Sequence, residues 1–358
     1  MNTEELRVFA RDNIFPTLEK RSARGGFDRS PWSELARLGL TGAMIEEEWG
    51  GGGGDARDFV SGVSILAAEG CDLGLALSLL DHVILSAYPL QHFGSQALKE
   101  HYLPSLCRGE RIGAAAISEP GSGGDPNRMR TVARRENGDY VLSGSKEPIT
   151  NGPVADLFMV IASTDLEAGK AGLSAFLVEK GDGLRVEELA LDFLPTSPHG
   201  RVILEDKLVP VGNLLGEEGW GHERISRSVF IWERAVIIPV ILAFMERLHH
   251  LVVSNLEPAE MPPDLRIVLA QRKVEATAYR AVGERLVELT FGPVGGGREL
   301  MELLLFFGKS LPTWVESMRD AAAGAGLAEE ETVGRMLADL RLLEVGSSML
   351  DWQFQKIL

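Results

Sequence analysis

The stretch from Ile117 to Gly152 constrains the fold more than any other part of the chain. It opens with Ile117-Ser118-Glu119-Pro120-Gly121-Ser122-Gly123-Gly124-Asp125 and closes with Lys146-Glu147-Pro148-Ile149-Thr150-Asn151-Gly152. Between these ends, Thr131–Arg135 and Tyr140–Leu142 read as β-segments joined by Glu136-Asn137-Gly138-Asp139. Asn-Gly between alternating apolar runs predicts a hairpin, because both central turn residues tolerate positive φ. Two loops of small polar residues therefore flank a hairpin and can face one site. The first holds three glycines and two serines within residues 118–125. Backbone N–H groups there can approach an anion closely, and hydroxyls add donors. Either loop alone reads as an ordinary Gly/Ser/Asn turn; their order and spacing make the pair specific.

The flanks read as helical. Residues 4–21 form an amphipathic helix interrupted at Pro16, and residues 31–39 a second stopped by Gly39. Trp49 and the glycines at 50–54 make a loop. Apolar helices follow from Asp55, near 74–92 and near 95–107. Short β-type runs such as 157–162, 173–178 and 202–206 fill residues 113–215. Four apolar-faced helices follow at about 222–254, 265–291, 299–323 and 329–343, the first interrupted by Pro239 and the third kinked or split by Pro312. The pattern predicts an N-terminal α-helical domain (1–112), a middle antiparallel β-barrel or sandwich domain (113–215) and a C-terminal four-helix bundle (216–358).

With 358 residues and 45% apolar composition, the chain can bury a large core in two or three domains. Its net charge of −16 argues against a nucleic-acid footprint and against an anionic membrane surface. Cys71 and Cys107 give neither a disulfide framework nor a CxxC pair and read as small buried residues. A reducing cytoplasm is the simplest compartment. The N-terminus lacks a signal or transit pattern. The longest apolar run, Ala235–Met245, is too short to span a bilayer and contains Pro239. No metal site is expected.

The two loops resemble those of the acyl-CoA dehydrogenase flavoprotein family, whose middle domain carries Thr/Ser-Glu-Pro-Gly-x-Gly-Ser-Asp and Lys-x-Trp/Phe-Ile-Thr-Asn segments against the flavin. The helix, Gly-rich loop, helix order, then Phe93-Gly94-Ser95 and Tyr102-Leu103-Pro104, resembles the family's N-terminal domain. The resemblance implies FAD as cofactor and α,β-dehydrogenation of an acyl thioester in fatty-acid metabolism. A carboxylate would take the α-proton and flavin N5 would accept the β-hydride. It implies Ile117, Ser118, Gly123, Gly124, Pro148, Ile149 and Thr150 toward the cofactor, with Ser122 and Arg234 toward the substrate. One branch of the family places its base near the C-terminus, where Ser347 stands here and cannot serve; Glu344 lies close by. Another branch places a glutamate immediately before an arginine in the first helix of the C-terminal domain. That pair is Glu233-Arg234, so Glu233 is the expected base. The alternative for Glu233 is a helix carboxylate paired with a neighbouring cation.

Several positions depart from the family pattern. Gly124 replaces the loop serine, Pro148 the aromatic that packs on the flavin, and Pro195 an arginine. The Arg-x-x-Phe-Gly and Gln-x-x-x-Gly-Gly-x-Gly-Tyr elements, which reach a neighbouring subunit's FAD, are lacking. Three readings follow: an active flavoenzyme, an FAD-deficient subunit of a hetero-oligomeric dehydrogenase, or a thioester-binding protein without chemistry. A thioester oxidase or a carrier-protein-linked dehydrogenase would use the same loops. By resemblance the partners are acyl-CoA or another acyl thioester, an electron-transfer flavoprotein, and further subunits in a dimer or tetramer.

Overall fold

The computed structural model describes residues 2–344 apart from 25–26, 123–124, 258, 260 and 294–296. Seven α-helices come first: α1 (Thr3–Phe9), α2 (Leu18–Arg24), α3 (Arg29–Arg37), α4 (Ala56–Gly70), α5 (Leu73–His82), α6 (Tyr88–Phe93) and α7 (Gln96–Cys107). Their starts follow sequence chemistry. Asp28, Asp55, Asp72 and Ser95 each accept a first-turn N–H and cap α3, α4, α5 and α7. Pro16 does not break the first helical run, because Ala10–Ile14 widens to a π-turn and Phe15–Thr17 tightens to a 3₁₀ turn, so the chain stays helical past it. A second π-turn, Val83–Ala87, joins α5 to α6.

Eight strands follow: β1 (Gly113–Ala116), β2 (Val132–Glu136), β3 (Asp139–Thr150), β4 (Leu157–Ser163), β5 (Leu173–Glu179), β6 (Leu184–Leu189), β7 (His199–Val209) and β8 (Leu214–Leu215). They form one path, β6-β7-β3-β2-β4-β5-β8, with β1 on β4. The sheet is not purely antiparallel as expected, because β1 and β2 both pair with β4 in parallel. The chain leaves β1 through the 117–131 loop and returns beside the same strand, and a return of that length allows parallel pairing. β4 is buried on both faces. Leu157, Met159 and Ile161 face the helical domain, while Phe158, Val160 and Ala162 face a core lined by residues of β1 to β7.

The last third holds α8 (Arg227–Ser254), α9 (Pro263–Phe291), α10 (Gly297–Gly324) and α11 (Glu331–Asp339). Neither Pro239 nor Pro312 splits its helix. Tertiary packing overrides the local cost of a proline. Pro239 lies in the apolar middle of α8, and Gly283 of α9 packs beside it: a Cβ there would come within 3.2 Å of Leu242 and make an ordinary 3.6 Å contact with Pro239. α8 packs on α4, α5 and α9, and its residues share one core with the N-terminal helices. Each fully buried large side chain in that core, such as Phe244 or Trp314, contributes roughly 1.5–3 kcal/mol.

Two helical stretches, Leu73–Phe93 and Gly221–Ser254, are long and apolar enough to cross a membrane by length and composition. That differs from the expectation drawn from the run at 235–245, because the helices extend beyond it. Both are core helices here, with 94% and 56% of their most apolar windows buried. Both cysteines are free and buried, and burial pushes the Cys107 thiol up to about 11.

Candidate active site

The Asn137-Gly138 turn closes the β2–β3 hairpin, with φ of 52° and 95° at the two residues. β3 runs on past its partner, so its far end, Lys146–Thr150, returns to the start of the 117–131 loop. There Glu147 N–H donates to the Ser118 carbonyl at 2.9 Å. Beneath that contact lies a buried ion pair. Lys146, with no exposed side-chain surface, donates to Glu119 at 2.7 Å and to the Ile117 carbonyl at 3.1 Å. Glu119 also accepts the N–H groups of Arg130 at 2.6 Å and Thr131 at 3.0 Å. Burial pushes Glu119 upward, but Lys146 and these donors more than offset it and hold the carboxyl below its ordinary range. Burial lowers Lys146 to about 8 against the pull of Glu119. The two residues form a strut that fixes one loop against the other.

Above the strut, Ser118, Pro148 and Gly121 are exposed, and Ile117 and Thr150 are half-buried. Two of the expected contacts come out differently. The Ser122 hydroxyl donates to the Glu119 carbonyl at 3.0 Å and is nearly buried, so it closes its own turn rather than facing substrate. The Ile149 side chain packs inside the β domain, and its carbonyl accepts the Gly152 N–H at 3.1 Å. Gly123 and Gly124 lie outside the described residues.

The second loop docks on α5. Asn151, at φ 62°, donates from Nδ2 to the Ser78 carbonyl at 2.8 Å and the Gly113 carbonyl at 3.3 Å. Gly113 is close-packed: a Cβ there would sit 2.5 Å from Ser86. Its N–H donates to His82 Nδ1 at 3.0 Å, so His82 Nε2 carries the proton toward the Leu106 carbonyl at 3.2 Å. His199 donates from Nδ1 to the Ser197 carbonyl at 2.8 Å, which leaves Nε2 to accept the Thr150 hydroxyl at 3.3 Å.

One turn along α5 from Ser78 stands Asp81, buried and with an Oδ1 that lacks a hydrogen-bond partner. Burial first, and the charge of Glu233 second, push its carboxyl well above the usual range, while Thr150 and Arg234 act in the opposite sense. Asp81 therefore joins Thr150 to Glu233 and Arg234. The Glu233 side chain is 24% exposed and 4.0 Å from the Arg234 guanidinium, which lies over the Phe230 ring. Trp232 packs edge-on against Tyr88 at 4.8 Å, which seats the start of α8 on the start of α6.

Residues 1–110 match the acyl-CoA dehydrogenase N-terminal domain, and residues 114–206 match the middle domain. The chain belongs to the acyl-CoA dehydrogenase family. It is 38% identical over 224 residues to the short-chain-specific acyl-CoA dehydrogenase of Megasphaera elsdenii, covering 60% of this chain and 57% of that enzyme. It is 31% identical over 288 residues to the L-prolyl-[peptidyl-carrier protein] dehydrogenase of Serratia sp. (strain ATCC 39006), covering 80% of this chain and 72% of the relative. The solved structure of PigA with FAD and proline superposes with a TM-score of 0.91 at 26% identity, over 99% of this chain and 96% of that one.

Within this family fold, Glu344 differs from the place considered for it. Its side chain is 59% exposed and lies 3.8 Å from Arg319 and 3.9 Å from Arg341, in a solvated cluster that gives no desolvation. Ser347 lies outside the described residues. Asp81 and the Glu119–Lys146 strut carried no assignment from the sequence. Asp81 had a signal, a lone carboxylate in the apolar run Leu79-Leu80-Asp81-His82-Val83-Ile84. Glu119 and Lys146 stood inside the loop motifs, but only the fold shows that they bind each other.

Proposed function

We propose that the chain is an FAD-dependent dehydrogenase that introduces a double bond between the α- and β-carbons of an acyl thioester, with Glu233 as base. The observation that carries this reading is the buried strut, which presents Ser118 and Thr150 from two segments of chain as one surface. The described residues fit the cofactor. Ser118, Pro148 and Gly121 are exposed, a Cβ at Gly121 would meet no atom within 4 Å, and no charged side chain of the strut faces outward. Ile117, Ser118, Pro148 and Thr150 would hold it. When bound, FAD supplies the acceptor for the β-hydride.

The rest of the work falls to the protein. Glu233 takes the α-proton on a carboxylate oxygen. It sits three-quarters buried beside Trp232, partly withdrawn from solvent, where a positioned carboxylate can serve as a general base. The Arg234 guanidinium, 4.0 Å away, balances the charge of that carboxylate. Thr150, with its hydroxyl directed at His199, holds the end of β3 near Asp81.

The dehydrogenase names of the relatives favour this catalytic reading over an FAD-deficient or merely thioester-binding subunit. Acyl-CoA and acyl-carrier thioesters both suit it. An electron-transfer flavoprotein as acceptor, a dimer or tetramer, and the cytoplasm complete the proposal.

The visible spectrum of the purified chain, after FAD is added and excess removed, tests the cofactor. Retained flavin bands are expected, and a colourless chain would refute the reading. Glu233→Gln should retain flavin and lower the rate of flavin reduction by acyl thioesters about 10³-fold, a typical contribution of a positioned base. A loss under tenfold would remove Glu233 as base.

A further inference from the structure

Among the described residues, four acids are buried: Asp72, Asp81, Glu119 and Asp339. Three have partners that account for them. Asp72 accepts from Arg21 at 2.6 Å, from the Thr196 hydroxyl and from Leu75 N–H at 2.9 Å. Glu119 has Lys146 and two backbone donors. Asp339 accepts Leu194 N–H at 2.8 Å. Asp81 is the exception, with an enclosed oxygen that nothing donates to. A buried polar atom left without a partner carries its full desolvation penalty, and a charged group a larger one. Such a group in a native fold calls for an explanation in function.

Its position supplies one. Asp81 lies where the Thr150–Asn151 loop docks on α5 and where α5 meets the start of α8. The like charge that acts on it is Glu233, the base of the proposed reaction, and the cation that acts on it, Arg234, is 36% exposed and already shared with Glu233. An acyl chain made only of carbon would lay C–H groups against this carboxyl and leave its Oδ1 without a donor. A protonated amine close to the reacting carbons would donate to Asp81 and sit between two carboxyl groups. It would also lower the charge built up on the α-carbon as Glu233 removes the proton, because a cation at short range stabilises a developing anion.

We propose that Asp81 is a specificity-determining residue that receives a protonated amine on the acyl group, so that the substrate class is an aminoacyl thioester. This rests on the dehydrogenase reading of the site. Its geometric basis is the enclosed Asp81 Oδ1, which no group donates to, at the junction of Thr150, Glu233 and α5. A cation docked on Asp81 would displace the proton that its burial favours.

A matched pair of thioesters tests the proposal: prolyl-pantetheine and cyclopentanecarbonyl-pantetheine, five-membered rings that differ by an amine in place of a methylene. The flavin-loaded chain is mixed with each, and the initial rate of flavin bleaching gives kcat/KM. The prolyl thioester should be favoured about 100-fold, as expected when a buried polar group loses its partner in the analogue. Asp81→Asn should reduce that ratio at least tenfold. Equal rates with both thioesters in the wild-type protein would overturn the proposal and leave the dehydrogenase reading intact. So would an unchanged ratio in Asp81→Asn. Bleaching by neither thioester would overturn both. The wild-type comparison decides the matter even where the variant fails to fold.

Discussion

Replacing Lys146 by Met should be among the most destabilising single changes in the β domain, and its pH dependence is the informative part. The side chain is fully enclosed, and burial lowers it from 10.5 to about 8 even with Glu119 at 2.7 Å. At about 1.4 kcal/mol per pKa unit, keeping the lysine charged already costs about 3 kcal/mol. Methionine removes that cost and keeps the packing. It also leaves Glu119 buried with only the Arg130 and Thr131 N–H groups, and breaking one side of a buried pair typically costs about 3–5 kcal/mol. The loss dominates near pH 8, where Glu119 must stay charged. Without Lys146 the folded-state pKa of Glu119 rises above its unfolded value. The penalty therefore shrinks as pH falls through the raised value and is nearly gone below the unfolded one. Urea unfolding at pH 5 and pH 8 measures it. The Glu119→Gln, Lys146→Met double variant should recover much of the loss at pH 8, because two neutral groups need no counter-charge. A Lys146→Met penalty below about 1 kcal/mol at pH 8, or one independent of pH, would refute the strut. The same variants should lose flavin, since the two loops would no longer be held together.

Further outcomes follow from other buried polar groups. Burial, with a smaller contribution from Asp72, raises Asp339 from 3.8 to about 7. The folded protein therefore holds a proton that the unfolded chain releases, and stability is forfeited as pH rises from about 4 to about 7, by about 4 kcal/mol. Asp339→Asn should remove that slope while keeping the acceptor for Leu194 N–H, and should unfold at higher urea than wild type at pH 8 but not at pH 4; parallel pH profiles for the two would refute it. Asn151→Ala loses the hydrogen bonds to Ser78 and Gly113 and puts alanine at φ 62°, at a cost of about 3 kcal/mol in urea unfolding. Asn151→Gly relieves the backbone strain alone and should fall between the two; equal losses for Ala and Gly would show that strain plays no part.

Much of the architecture was legible in the chain. Hydrophobic period, proline and glycine are local signals, and they placed helices, then strands, then helices in the right order. The Asn137-Gly138 turn was fixed by its own φ preference. The ordered loop motifs identified a flavoprotein family, because long patterns of specified residues are hard to meet by chance. The breaks expected at Pro16, Pro239 and Pro312 failed because helix continuity in a large core depends on neighbours. Pro239, for one, is held in a helix that α9 packs against, with Gly283 far along the chain in contact with it and with Leu242.

The site itself was half legible. Sequence named Thr150 and Glu233 through motif position, but it gave no sign that Asp81 stands between them. That juxtaposition joins three segments separated by tens of residues, and only close packing of α5, β3 and α8 brings them together. It likewise gave Ser122 to the substrate, whereas a turn requires its hydroxyl for the Glu119 carbonyl. Local propensities act within a few residues and are written in the order of amino acids. Which buried charge finds a partner, and which is left for a ligand, depends on what the folded chain places within about 3 Å, and on the exclusion of water that makes each such pairing decisive.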